Sequence, residues 1–223
     1  MLFPIGDDQV KGGYFPLFSY GFILLNIAVF ALEISLQSQG KLAAFIYEYG
    51  SIPEEIVHGD DWHTLFTSMF MHGGWMHLIG NMLFLWVFAD NIEATVGNFS
   101  FIIFYILGGL VAALTHVYFD PTSDIPMVGA SGAISAVMGA YLVMFPKSRI
   151  KMLFLLFFFR IPAFIFLFFW AWQQWTSGMA AFEAIESEMD NVAYWAHIGG
   201  FVFGLIGGLF YRITGRLRGV RLG

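Results

Sequence analysis

Residues 129–140 read Gly129-Ala130-Ser131-Gly132-Ala133-Ile134-Ser135-Ala136-Val137-Met138-Gly139-Ala140, and nine of these twelve are Gly, Ala or Ser. So many small side chains in an apolar segment make a helix that packs closely against others inside a membrane. Proline marks its limits: Pro121 and Pro126 precede it and Pro146 stops it, leaving about 17 helical residues, or ~25 Å at 1.5 Å per residue. That is too short to cross ~30 Å of hydrocarbon from surface to surface. Its N-terminus is therefore expected below one surface, with residues 120–128 dipping inward to meet it. Irregular backbone is tolerated at that depth only where it is packed in protein or lines a wet cavity, so a cavity open to one side is implied.

The rest of the chain fits that setting. Of 223 residues 58% are hydrophobic and 12% charged, with 27 Phe and 7 Trp and a mean hydropathy of +0.72, too apolar for a water-facing surface. Windows of about 20 apolar residues give six expected spans: 17–36, 75–95, 99–119, 129–146, 161–177 and 191–212. The fold class expected is an all-α membrane protein, one helical domain over residues 1–223 with no soluble appendage. Residues 150–160, apolar but bounded by Lys151 and Arg160, are expected along the inner interface, with span 5 starting at Ile161 so that Pro162 falls in its first turn. The chain has no Cys, which excludes thiolate nucleophiles, Cys metal sites and disulfides.

Basic residues orient the bundle, because Lys and Arg in short loops are retained on the cytoplasmic side. An N-terminus inside puts Lys11, Lys147, Arg149, Lys151, Arg160, Arg212, Arg216, Arg218 and Arg221 inside and only Lys41 outside. Both termini are then cytoplasmic, and the acidic side chains of the 37–74 and 178–190 loops face outward. The first 16 residues lack a basic n-region, so span 1 reads as a retained anchor.

In this topology spans 2, 4 and 6 all run from outside to inside, and each begins with its unusual polar residues: His77 and Asn81, Ser131, and His197. The four side chains share one depth in the outer half of the membrane. Ser131 opens a helix whose first-turn N–H groups and macrodipole can hold an oxyanion. Gly129, Ala130 and Gly132 let a peptide carbonyl approach. The same tetrapeptide also serves simple helix packing, and the two uses are compatible. Ser131, Ser135 and Gly139 form one i+4 ridge, and Gly200, Gly204 and Gly208 form another on span 6. His197 lies three residues before Gly200, on the face that meets span 4, within reach of the Ser131 proton. His77 and Asn81, at i and i+4, can both donate toward one point, as oxyanion donors or as polar links between helices.

These motifs resemble those of the rhomboid intramembrane serine proteases, over nearly the whole chain: His77-x-x-x-Asn81 on the second span, Gly129-x-Ser131-Gly132 on the fourth and Ala196-His197-x-Gly199-Gly200 on the sixth. Ile5-Gly6-Asp7-Asp8 and the Trp62 to Asn91 stretch look like bacterial members. The resemblance implies a six-helix bundle with a partly membrane-inserted first loop, and a serine endopeptidase in the bacterial cell membrane. Ser131 would be nucleophile and His197 general base and acid, with Asn81, His77 and the Ser131 N–H as oxyanion hole and His72 structural. Span 5 and the 178–190 loop would form a lateral gate and cap. The partners implied are transmembrane protein substrates, with helix-weakening residues near a small-residue cleavage site, and the lipid bilayer; no nucleic acid, cofactor or metal is implied. Two positions depart from the family pattern. Trp62 is followed by His63 where many members carry Arg, and Ser135 stands where many carry an aromatic that packs on the catalytic histidine.

Competing chemistries lack their residues. His58/His63 and His72/His77 are spaced by five with no acid after the first His, unlike His-Glu-x-x-His. Asp90, near an inner end, is the only Asp well within the expected helices, so an aspartyl pair is missing. A transporter would show ionisable pathway residues or mirrored halves, and an inactive client-binding relative would not need both Ser131 and His197.

Overall fold

The computed structural model describes residues 2–183, 192–215, 217, 221 and 222. A short strand β1 (Leu2–Gly6) and β2 (Val10–Lys11) lead into α1 (Leu17–Ser38). The connection after it folds into α2 (Leu42–Tyr49), α3 (Pro53–His58), α4 (Thr64–Thr67) and a 3₁₀ turn at Ser68–Phe70. Then follow α5 (Trp75–Val96), α6 (Asn98–Phe119), α7 (Ser131–Met144), the strands β3 (Arg149–Phe154) and β4 (Phe157–Pro162), α8 (Ala163–Glu183), α9 (Tyr194–Ile213) and β5 (Arg221–Leu222), which pairs with β2. The result is an all-α membrane bundle with strands confined to its periphery. Among the described residues, α1, α6 and α9 are long and apolar enough to cross a membrane by length and composition, and α7 is a shorter apolar helix.

Helix α7 is the axis of the bundle. It has only 14 residues, and every side chain from Gly132 to Tyr141 is buried, packed against α9, α6, α5 and α8. The Gly200, Gly204 and Gly208 ridge does meet α7, but chiefly along Gly132, Ala136 and Ala140, one residue on from the expected Ser131, Ser135 and Gly139. A Cβ on Gly200 would collide with the Gly132 carbonyl, one on Gly204 with the Ala136 carbonyl and one on Gly139 with the Phe201 carbonyl; on Gly208 it would lie 2.8 Å from Ala140 Cα. Backbones in contact gain dispersion energy that lipid, as apolar as the side chains, does not compete away. On the other flanks of α7 large side chains fill the space, with Phe88, Phe101, Tyr105 and Tyr141 all buried.

The segment before α7 is irregular, and several of its backbone groups are satisfied by the α1–α5 connection. Ser51 and Met127 exchange two backbone hydrogen bonds (3.0 and 2.8 Å), the Glu54 N–H donates to Ser123 O (3.1 Å) and the Gly129 N–H to Ser68 O (2.9 Å). The connection is thus a folded support for the start of α7. It is anchored by Glu33, a buried acid on α1 that accepts the His72 backbone N–H at 3.1 and 3.2 Å.

Residues 149–162 differ from the expected interfacial segment. They form an antiparallel hairpin turning at Leu155-Leu156, with Leu155 at φ 54°, and β1 pairs with the other side of β3. Consequently Ile161 and Pro162 belong to β4, α8 begins at Ala163, and it runs on to Glu183 instead of ending near 177. The strand signal was the alternation Arg149-Ile150-Lys151-Met152, whose apolar members are buried and basic members exposed; the phenylalanine run Phe157-Phe158-Phe159 after it is exposed throughout and masks that period. The N-terminal segment binds this end together. Asp7 accepts from Asn91 Nδ2 (2.6 Å) and from the Tyr141 hydroxyl, and Asp8 accepts the Arg149 N–H (2.9 Å) and pairs with Arg160 (3.3 Å). Burial pushes the Asp7 carboxyl up to about 7.

Candidate active site

Ser131 is the first residue of α7, where an N–H has no intrahelical acceptor. His197 stands on the first turn of α9, and the α7–α9 contact brings the two side chains together. Ser131 Oγ lies 2.8 Å from His197 Nε2. Both are half-buried and line a cavity of about 870 Å³ that also takes in His77, Asn81, Gly129 and Trp170. Gly129 has φ 132°, a conformation that favours glycine. A Cβ there would lie 2.7 Å from His77 Nε2 and 3.6 Å from Asn81 Nδ2. Those two nitrogens therefore face the backbone just ahead of Ser131, and all four residues singled out from the sequence converge on one wall.

Hydrogen bonds fix which nitrogens are donors. The Gly73 N–H points at His77 Nδ1 (3.4 Å), so the ring proton sits on Nε2, toward the cavity. Asn81 Nδ2 donates to His72 Nε2 (2.9 Å), which holds the amide with its second N–H free to turn to the cavity wall. His72 is buried and packs its ring at 5.1 Å from that of His77. Among the described residues no three His, Asp or Glu side chains gather as a metal site.

Residues 59–213 match the Rhomboid domain. The chain belongs to the rhomboid family. It is 27% identical over 195 residues to Rhomboid protein 1, mitochondrial, of Saccharomyces cerevisiae, covering 86% of this chain and 52% of that protein. It is 29% identical over 134 residues to Rhomboid protease GluP of Bacillus subtilis (60% of this chain, 26% of that protein) and 30% identical over 135 residues to Rhomboid protease AarA of Providencia stuartii (54% and 48%). The chain thus spans about half the length, or less, of these relatives.

The two departures from the rhomboid pattern take definite forms. His63 is exposed, with Nδ1 3.8 Å from Asp61 and its ring edge-on to Tyr49. The Ser135 hydroxyl donates to its own helix at Ser131 O (2.6 Å), so it does not replace the aromatic. The ring beside His197 comes instead from α8: Trp170 lies 6.1 Å from the imidazole and 5.6 Å from Phe201. One turn along α8, Gln174 Oε1 lies 2.6 Å from His197 Nδ1. Sequence reasoning missed Gln174. The available signal was a polar residue at i+4 from Trp170 on an apolar helix face, but the adjacent Gln173, which is exposed, leaves the sequence without a sign of which glutamine turns inward. The cap expected over 178–190 lies, beyond Glu183, outside the described residues.

Proposed function

We propose that the protein is an intramembrane serine endopeptidase that cleaves transmembrane segments of membrane proteins through a Ser131–His197 dyad, in one rhomboid domain over residues 1–223. The observation that carries this is the 2.8 Å approach of His197 Nε2 to Ser131 Oγ at a helix N-terminus, in a cavity that also takes in His77 and Asn81. With Oγ–H donating to Nε2, attack on a substrate carbonyl passes the proton to the imidazole. The oxyanion forms against the Ser131 N–H, with Asn81 Nδ2–H and His77 Nε2–H as further donors. The imidazolium then protonates the leaving amine, and a water, deprotonated by the same Nε2, releases the acyl group. The cavity supplies that water inside a bundle that is otherwise apolar. No cofactor enters this scheme.

The apolar windows support six spans, the distribution of Lys and Arg supports cytoplasmic termini and so a cavity open to the outer side, and the likeness of Ile5-Gly6-Asp7-Asp8 to bacterial members supports a bacterial inner membrane. The substrate is a transmembrane helix that must unwind locally, since a peptide bond inside a helix presents neither face to Ser131.

The test is labelling of the detergent-solubilised protein by a fluorophosphonate, with mass-spectrometric mapping of the adduct. The adduct is expected on Ser131 and is absent in Ser131→Ala and His197→Ala, both of which keep the wild-type unfolding temperature. Folded wild type that stays unlabelled, or His197→Ala that labels normally, overturns the dyad.

A further inference from the structure

Resting on that dyad, the structure carries one step more. In His197 the two ring nitrogens have different partners: Nε2 meets Ser131 Oγ at 2.8 Å and Nδ1 meets Gln174 Oε1 at 2.6 Å. A serine that is to lose its proton must donate it to a bare Nε2, and neutral imidazole then carries its hydrogen on Nδ1. An acceptor is therefore needed at Nδ1, and Gln174, buried on α8, presents a carbonyl oxygen there. We propose that Gln174 is the positioning residue of the dyad, holding His197 in the Nδ1–H tautomer and stabilising the imidazolium, so that the base is competent only while α8 is docked on α9.

The dependence on α8 follows from how that helix reaches His197. Trp170, Gln174 and Gly178 form one stripe at i, i+4 and i+8. Trp170 lies beside His197 and Phe201, and Gly178 sits against Ile198 and Tyr194. The whole stripe addresses the first two turns of α9, and its one polar member meets the one titratable ring atom left over by the dyad. A hydrogen bond of 2.6 Å does not survive a helix shift of 1 Å, so displacing α8 leaves His197 free to rotate or to change tautomer. The other titratable groups near His197 are His77 from α5, His116 from α6 and Tyr194 one turn back on α9, and none of them supplies an acceptor at Nδ1.

Gln174→Met keeps the volume and removes the acceptor, and Gln174→Glu replaces the amide oxygen by a carboxylate. The readout is inactivation by a fluorophosphonate, resolved into kinact and KI across pH, beside wild type and Ser131→Ala. A hydrogen bond to a group that becomes charged is of the strong class, so Gln174→Met is expected to lower kinact by about 10- to 100-fold with KI within threefold. The acidic limb of its pH profile should move to lower pH. Gln174→Glu should recover most of the rate and move that limb to higher pH. A kinact for Gln174→Met within threefold of wild type with an unmoved limb overturns the proposal. So does an equal loss in both variants with unmoved limbs, which is the behaviour of a packing residue. If Gln174→Met does not fold, the direction of the limb in Gln174→Glu decides alone. A labelled Ser131→Ala would instead sink the dyad itself, whereas a silent Ser131→Ala beside a normal Gln174→Met sinks only the role of Gln174.

Discussion

Helix α9 is gripped on two sides in two different ways. Against α7 the contact is backbone to backbone: Cβ atoms added at Gly200 or Gly204 would strike the Gly132 and Ala136 carbonyls. Against α8 the contact runs through side chains, and a Cβ added at Gly178 would meet Ile198 Cδ1 and Tyr194 Cβ at 3.4 Å and Trp195 Cε2 at 3.7 Å, ordinary van der Waals distances. The first contact sets how far Ser131 stands from His197, and main-chain contact leaves that distance no freedom. The second sets how the imidazole is turned, and side chains on a neighbouring helix can be re-aimed. Separation of nucleophile and base is thus built into the fold, whereas orientation of the base is delivered by a separate element.

The largest effect that can break this contrast is expected from Gly204→Val. Overpacking in a closed seam costs about 1–3 kcal/mol, and more when the obstacle is backbone, which here cannot move without separating α7 from α9. The variant should lose its cooperative unfolding transition in detergent, followed by tryptophan fluorescence, together with labelling at Ser131. Wild-type thermal stability and labelling in Gly204→Val would mean that the seam is not the rigid member of the pair.

Asn81→Ala comes next and asks whether α5, which packs against α7, belongs with the rigid side. Its amide is held by His72, whose backbone is in turn held by Glu33 on α1, so it is fixed from behind without being part of the seam. Loss of one oxyanion donor typically lowers the rate by ~10²–10³, and the fold should be unaffected. A fall in fluorophosphonate kinact of less than about threefold would remove Asn81 from the site.

These contrasts explain which parts of the molecule were legible in the sequence. Spacing alone carries the α7–α9 seam, because small residues at i+4 on both helices, all glycine on α9, point to close approach, and the same spacing places His197 toward Ser131. That the backbone before α7 is irregular was also readable, from Pro121, Pro126 and the shortness of the helix. What stayed hidden depends on side chains meeting across elements far apart in sequence. Gln174 is 23 residues from His197, and nothing local marks its carbonyl as aimed at an imidazole. Glu33 stands near the end of α1, and nothing local in the sequence marks its carboxylate as the acceptor of the His72 N–H. The hairpin at 149–162 was obscured for a different reason. Its second strand, Phe157-Phe158-Phe159, is apolar on both faces and exposed, and an unbroken apolar run carries no period from which a strand could be told from a helix.

The smallest expected effect is also the most discriminating, because its sign differs from that of Gly204→Val although the chemistry of the change is alike. Gly178→Ala adds one Cβ to the face of α8 that meets α9, in a helix interior where alanine is favoured over glycine by about 1 kcal/mol. At 3.4 Å from its neighbours that carbon fits without displacing them. Thermal stability should therefore stay level or rise, and fluorophosphonate kinact should stay within about twofold of wild type. A loss of stability comparable to that of Gly204→Val would show that α8 is clamped to α9 as tightly as α7 is. The two grips on α9 would then be one, and the orientation of His197 would be as fixed by the backbone as its distance from Ser131.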